Sequence, residues 1–288
     1  VRPIPVLVNP SAGSAAAVRR ALRGDLRFSP LDTPPAVLPA ALLRAAAEGA
    51  RRVAVAGGDG SVALAAGAAV RAGVELAVLP GGTLNHFARH LGIPDALPEA
   101  LRVAATGRAR PVAVGSVDGR VFVNTSSLGA YVDFVRARER LEPRLGHGLA
   151  TLAAGAETVA RLPRLDVLLE TDGGTRRFAT PLLFVGVGER ALAPLGIQRR
   201  VEEGWPGLHV LVVHAGGAAG MLLRGLAAAR GGAEEIERLP DVSSFLVDRC
   251  VVRLAAGAAE LAVDGEILPA RPPLEYLARR GALLAVAP

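Results

Sequence analysis

Residues 53–61 read Val-Ala-Val-Ala-Gly-Gly-Asp-Gly-Ser, an apolar strand that runs without a spacer into a glycine turn carrying one carboxylate. Few architectures accept such a segment. A strand this apolar belongs in a sheet covered on both faces, and Ser61–Ala72 after the turn reads as the helix that covers it. The glycines let backbone N–H groups approach an anion, and the positive end of the helix points at the same place. Asp59 sits inside the turn, where its charge repels a bare phosphate. Either a metal ion lies between them or the carboxylate faces a hydroxyl, and both readings suggest phosphoryl transfer.

The same unit repeats along the first third of the chain. Ile4–Val8 is a short buried strand followed by the turn Asn9-Pro10-Ser11-Ala12-Gly13, after which Ser14 is placed to cap a helix through Val18 and Leu22. An alanine-rich helix spans about Ala36 to Glu48, Arg52–Ala56 and Glu75–Leu79 are strands, and Pro80-Gly81-Gly82-Thr83 turns into a helix stopped by Gly92 and Pro94. A further helix spans about Ala96 to Thr106. This predicts an α/β domain with a parallel sheet, whose ligands bind beyond the carboxyl ends of the strands. Near Arg110 the pattern changes. Val112–Val117 and Arg120–Asn124 flank an Asp-Gly hairpin turn, and Leu165–Glu170 and Arg176–Val187 flank Asp172-Gly173-Gly174. Leu208–Val213, Phe245–Val247, Val251–Leu254 and Glu260–Val263 add strands, and a helix covers about Leu149 to Arg161. The expected organisation is a nucleotide-binding α/β domain over 1–110, to which about 270–288 returns, and a mostly antiparallel β-sandwich over 111–269.

Composition removes several chemistries. The chain has 288 residues, 51% of them apolar, enough for one large or two modest domains. No apolar stretch approaches the ~20 residues of a membrane span, and no basic-then-apolar leader opens the sequence, so a soluble cytoplasmic protein is expected. Cys250 is the only cysteine, which excludes internal disulfides and cysteine-rich zinc sites. All 33 basic residues are arginine, which removes the P-loop lysine, the protein-kinase strand lysine and Schiff-base chemistry. A phosphate site here must use backbone N–H groups, arginine and metal. Asn9, Asn85 and Asn124 are the only asparagines, each at the end of an apolar run or just past a glycine turn, where they serve either turn geometry or binding.

Gly58-Asp59-Gly60-Ser61-Val62-Ala63 also satisfies the dinucleotide fingerprint, but the ribose-binding acid should end the following strand and Glu75 begins it. Taken together, Asn9-Pro10-Ser11-Ala12-Gly13, Gly57-Gly58-Asp59-Gly60-Ser61 and Pro80-Gly81-Gly82-Thr83-Leu84-Asn85-His86-Phe87-Ala88-Arg89 resemble the catalytic domain of the diacylglycerol kinase family, in its bacterial lipid-kinase branch related to sphingosine kinases. Val263-Asp264-Gly265-Glu266 is a fourth match. The resemblance implies ATP as donor, Mg²⁺ as cofactor, a lipid hydroxyl as acceptor and an active site in a cleft between the two domains. By position, Asn9, Pro10, Ser11, Ala12, Gly13, Thr33, Gly57, Gly58, Asp59, Gly60, Ser61 and Thr83 surround the nucleotide. Asn85, Arg89 and Asn124 fall on the acceptor side, Glu266 matches the proton acceptor with Asp264 beside it, and Asp59 and Asp264 are the metal candidates.

Those residue types suit the reaction. An attacking alcohol must lose a proton, which a carboxylate can accept, while N–H groups and Mg²⁺ offset charge on the transferring group. Asp59 holds metal or orients the acceptor and Glu266 is the base, or the two exchange roles. The sequence departs from the family pattern at Ser61, where Thr is usual, at His86, where many relatives have Asp, and at Trp205-Pro206-Gly207, which distorts the spacing after Glu203-Gly204 at the family's extra magnesium site. The run Arg136, Arg138, Glu139, Arg140 suits an exposed face or anionic lipid. Ala191–Ile197 is expected either to border an acyl-chain entrance or to lie in the sandwich core. The expected partners are a lipid substrate and the inner face of the membrane, touched peripherally; a homodimer is permitted. Nucleic acid is a poor fit, because aromatics are sparse and no basic stripe interleaves them. The rivals are a kinase of a soluble acceptor, such as NAD or a sugar phosphate, and a non-catalytic binder that keeps the fold.

Overall fold

The computed structural model describes residues 2–82, 85–191, 199–200, 204–214 and 242–288. The chain divides into two compact units. One comprises Val1–Val114, Gly119–Asn124 and Arg279–Pro288, the other Gly115–Asp118 and Thr125–Ala278.

The first unit is built from β1 (Ile4–Val8), α1 (Ala15–Ala21), β2 (Phe28–Asp32), α2 (Leu38–Ala47), β3 (Arg52–Gly57), α3 (Asp59–Ala72), β4 (Glu75–Pro80), α4 (His86–His90) and α5 (Leu97–Thr106). Its strands are parallel in the order β2-β1-β3-β4, with Val6 opposite Ala54 and Val55 opposite Val78. The central strands are buried along most of their length because helices cover both faces: Val6, Leu7, Val8 and Val53–Ala56 pack with Val18, Leu38, Leu42, Ala65, Ala69 and Leu101. Small alanines on α3 let the helix lie close to the sheet. β5 (Arg108–Val117) and β6 (Arg120–Phe122) form the expected hairpin, turned by Asp118 (φ 47°) and Gly119 (φ 80°), the two left-handed positions of a type I′ turn.

The second unit carries β7 (Thr125–Gly129), α6 (Ala130–Ala160), β8 (Leu165–Thr171), β9 (Gly174–Thr180), β10 (Leu182–Val187), the short pair β11 (Arg190–Ala191) and β12 (Arg199–Arg200), β13 (Leu208–Val213), β14 (Val242–Val247), β15 (Arg249–Leu254), β16 (Ala259–Val263) and β17 (Glu266–Ala270). One sheet is antiparallel throughout, in the order β14-β13-β10-β7-β16-β17. β9, β8 and β15 form a second antiparallel group, completed by the first residues of β18 (Leu274–Ala287). The two layers meet through the Ser126 hydroxyl, 3.1 Å from that of Tyr276, and through the edge-on rings of Phe178 and Phe245. The later part of β18 joins the first unit, where Leu284 lies opposite Glu75 in parallel register. A parallel-sheet unit and a mostly antiparallel sandwich are therefore both present, as expected.

Several elements differ from expectation, β18 among them, and two differ in extent. The helix expected from Leu149 begins at Ala130 and spans 31 residues, broken at Gly146 (φ 69°, ψ 165°). Its first half was concealed by the charge run and by Pro143. Arg176–Val187 is two strands rather than one, parted at Pro181, which has no N–H to give to the ladder.

Candidate active site

The carboxyl ends of the first unit's parallel strands form one rim, and side-chain amides stitch its turns together. Asn9 follows β1, with its N–H donated to Ala56 O at 3.0 Å. Its Oδ1 accepts from Ser11 N–H at 3.0 Å, an Asx turn that shapes the first loop. Its Nδ2 donates to Ser61 Oγ, also at 3.0 Å, tying the first turn to the second. Ser61 is thus a buried bridge, and the hydroxyl shared by Ser and Thr is enough for that role.

The second and third turns meet backbone to backbone. Gly81 N–H donates to Gly57 O at 3.0 Å. A Cβ at Gly82 would stand 2.7 Å from Gly58 Cα, and one at Gly57 would stand 2.7 Å from Ser61 Cβ, so only glycine permits this approach. Asn85 (φ 48°) closes the third turn: Oδ1 accepts from Gly82 N–H at 2.9 Å while Nδ2 donates to Gly82 O at 3.0 Å. Both ends of this amide are engaged within its own turn, and the residue is buried, so Asn85 shapes the rim. Arg89 points outward into an exposed pair with Asp95 at 3.3 Å.

Asp59 is the first residue of α3, where the positive end of a 14-residue helix favours its negative charge. Its Oδ1 faces Phe87 N–H, at the start of α4, at 3.5 Å, too long for a strong bond. Gly60 has open space beside it, and Pro10, Ser11 and Gly13 are exposed. Thr33 follows β2 on the same rim, with its N–H donated to Val8 O at 2.8 Å. Its hydroxyl is buried and donates to Leu31 O at 2.9 Å. Thr83, and the neighbouring Leu84, lie outside the described residues, as do residues 192–197 of the proposed acyl-chain border and Glu203.

One residue was missed by sequence reasoning. Ser14 precedes α1 but makes no side-chain capping bond. Its Oγ is instead buried without a hydrogen-bond partner among the described residues, pressed so close to Gly81 that a Cβ there would collide with it. A buried orphan hydroxyl is costly and calls for an explanation such as a ligand. Its position directly after the first glycine turn was the available signal.

In the second unit, Asp264 (φ 48°) and Gly265 (φ 89°) form the type I′ turn between β16 and β17, and the exposed Glu266 is the first residue after it. Asp264 grips the backbone of Thr125: its N–H donates to Thr125 O at 2.8 Å and its Oδ1 accepts from Thr125 N–H at 2.9 Å. Asp118 makes the same double grip on Glu275, at 2.9 and 2.8 Å. The carboxylate of Asp264 is therefore at least partly committed to holding its turn. Asn124 lies half-buried at the bend before β7. Burial raises the Tyr131 phenol; Arg138 opposes the rise and the Asp264 charge adds to it.

Among the described residues no three His, Cys, Asp or Glu side chains form a metal-binding group. Magnesium in phosphoryl-transfer sites needs no such cage, since one or two carboxylates and the substrate phosphates hold it. Asp59 fits that mode: no hydrogen bond or ion pair engages its second oxygen among the described residues.

Residues 3–117 match the diacylglycerol kinase catalytic domain model. Over 247 residues the chain is 32% identical to the "probable lipid kinase YegS-like" of Pseudomonas aeruginosa (strain UCBPP-PA14), which covers 79% of this chain and 73% of that protein. The chain belongs to the diacylglycerol kinase catalytic-domain family. Within this family it is also 32% identical over 154 residues to the "probable lipid kinase YegS-like" of Cronobacter sakazakii (strain ATCC BAA-894), covering 50% of this chain and 49% of that one. To the diacylglycerol kinase of Bacillus subtilis (strain 168) it is 36% identical over 100 residues, covering 34% and 33%. The chain thus spans half or less of the length of these last two relatives. A diacylglycerol kinase crystal structure from Bacillus anthracis str. Sterne covers 100% of this chain and 97% of its own at a TM-score of 0.70; at 19% identity this likeness speaks for the fold.

Proposed function

We propose that this family member is an ATP- and Mg²⁺-dependent lipid kinase that moves the γ-phosphoryl group to a lipid hydroxyl, such as that of diacylglycerol or a sphingoid base, at the inner face of a membrane. The observation that carries this reading is the convergence of three glycine turns on one rim, bridged by Asn9–Ser61 and Gly81–Gly57, with Asp59 opening α3 among them. Backbone N–H groups of the first two turns, with the unpartnered Ser14 hydroxyl, receive the phosphates in place of the lysine this chain lacks. Asp59 is the residue that would hold Mg²⁺, which when bound with the nucleotide supplies positive charge to the phosphate oxygens. The lipid oxygen attacks the γ-phosphorus, the bond from that phosphorus to the β–γ bridging oxygen breaks, and ADP leaves. The hydroxyl proton passes to a carboxylate, which we assign to Glu266. Asp264 then acts by keeping the turn before Glu266 in shape.

The reading is tested with ATP, Mg²⁺ and diacylglycerol in mixed micelles, and with NAD as acceptor in parallel. Phosphatidate should form, and Asp59→Ala and Glu266→Gln should each lose roughly a thousandfold in rate while melting within a few degrees of wild type. Product from NAD alone, or equal phosphatidate from Asp59→Ala, overturns it.

A further inference from the structure

The second half of α6 presents an outer face that nothing in the kinase chemistry uses. After the break at Gly146, Ala150 and Ala154 are fully buried while Gly148, Leu149, Leu152, Ala156 and Ala160 face outward. Leu149 is 62% exposed and Leu152 61%, values normal for a lysine and costly for two leucines one turn apart. Leu145, just before the break, is 41% exposed. Between residues 148 and 160 the sole charged side chain is Glu157, and it is neutralised from both sides, by Arg140 at 2.5 Å and Arg161 at 3.7 Å. Exposed arginines stand at both ends of this apolar ridge, Arg144 on one side, Arg161 and Arg164 on the other.

We propose that this ridge is a docking surface for an anionic lipid bilayer, with Leu149 and Leu152 entering the interface and the flanking arginines meeting acidic headgroups. The segment is too short to cross a membrane, since ~20 apolar residues are needed, and among the described residues no helix is long and apolar enough to do so. Its pattern is that of a helix lying in the interface: an apolar face, no free acid on it, and basic residues at its margins. A second copy of the chain is a worse occupant. A two-fold pairing of the ridges would bring arginine clusters against each other, and two leucines cover little of the area that a stable dimer needs. The proposal rests on the lipid-kinase reading for its purpose, but its test does not depend on turnover.

The test is flotation of the whole protein with phosphatidylcholine vesicles and with vesicles of equal phosphatidylcholine and phosphatidylglycerol. Wild type should float with the anionic vesicles, less so in high salt. Leu149→Ser/Leu152→Ser should lower partitioning at least about tenfold, with unchanged melting and unchanged phosphorylation of a short-chain, monomeric diacylglycerol. Arg161→Gln/Arg164→Gln should weaken binding several-fold at low salt only. Equal flotation of wild type and the leucine variant overturns the proposal, as does a dimer that the leucine variant dissolves while vesicle binding stays the same. If wild type phosphorylates no diacylglycerol yet still floats through the two leucines, the kinase reading falls and the docking surface stands.

Discussion

At the rim where β3 and β4 begin, one long side chain does the joining; at the rim where they end, backbone touches backbone. Arg52 Nε donates to Glu75 Oε2 at 2.7 Å, and its other nitrogens reach Ala104 O, Ala105 O and Gly107 O, closing the carboxyl end of α5. Donors and acceptors there match one another. Among the described residues, the opposite rim has glycines in close contact, a carboxylate with one weak bond and a buried hydroxyl with none. The difference separates two uses of polar groups: satisfied within the fold they add stability, and left unsatisfied at the ends of parallel strands they await something else.

That contrast can be broken from either side. Arg52→Ala should cost about 2–3 kcal/mol of stability in urea unfolding, because it strands Glu75 and three carbonyls, while leaving KM for ATP within twofold. A large KM change with little loss of stability would erase the distinction between the rims. Ser14→Ala should do the reverse: unfolding stability unchanged or slightly raised, since a buried orphan is removed, and KM for ATP raised about fivefold. A loss of stability would show that the hydroxyl is partnered in the folded protein. Cys250 belongs to neither rim and serves as a control. Burial pushes its thiol from 9.0 up to about 12. Below pH 9 the thiol is neutral in both folded and unfolded chains; above it the unfolded chain ionises first, so stability falls as pH rises from 9 towards 12. The loss is about 0.8 kcal/mol at pH 9.5 and should vanish in Cys250→Ala. Urea titrations at pH 7.5 and 9.5 measure it.

Apolar runs bounded by turns were legible. Ile4–Val8 and Leu208–Val213 stand where the sequence places them, because a strand buried along most or all of its length needs only continuous apolar residues. The first half of α6 was not, since its charged face hid the buried Val132, Val135 and Ala137. β18 was missed because Arg279-Arg280-Gly281 interrupts its apolar pattern, and its partners lie far away in sequence at Glu75 and Cys250. At the rim, the glycines and Asp59 could be read from residue type and spacing. The directions of side chains could not: Asn85 turns back on Gly82, Asp264 grips Thr125, and Ser14 lies against Gly81 instead of capping its helix.

The chain passes from one unit to the other after Val114, Asp118, Asn124 and Ala278, so no single cut separates them. A fragment ending near residue 117, the span that matches the family model, would lack β6 and the parallel edge that β18 lends to β4. Its exposed strand edge would invite aggregation. The hereditary unit of this family and the foldable unit of this molecule are therefore different lengths of polypeptide: whatever evolution copies as the kinase motif must be closed by ten residues, Arg279–Pro288, that lie far downstream of it.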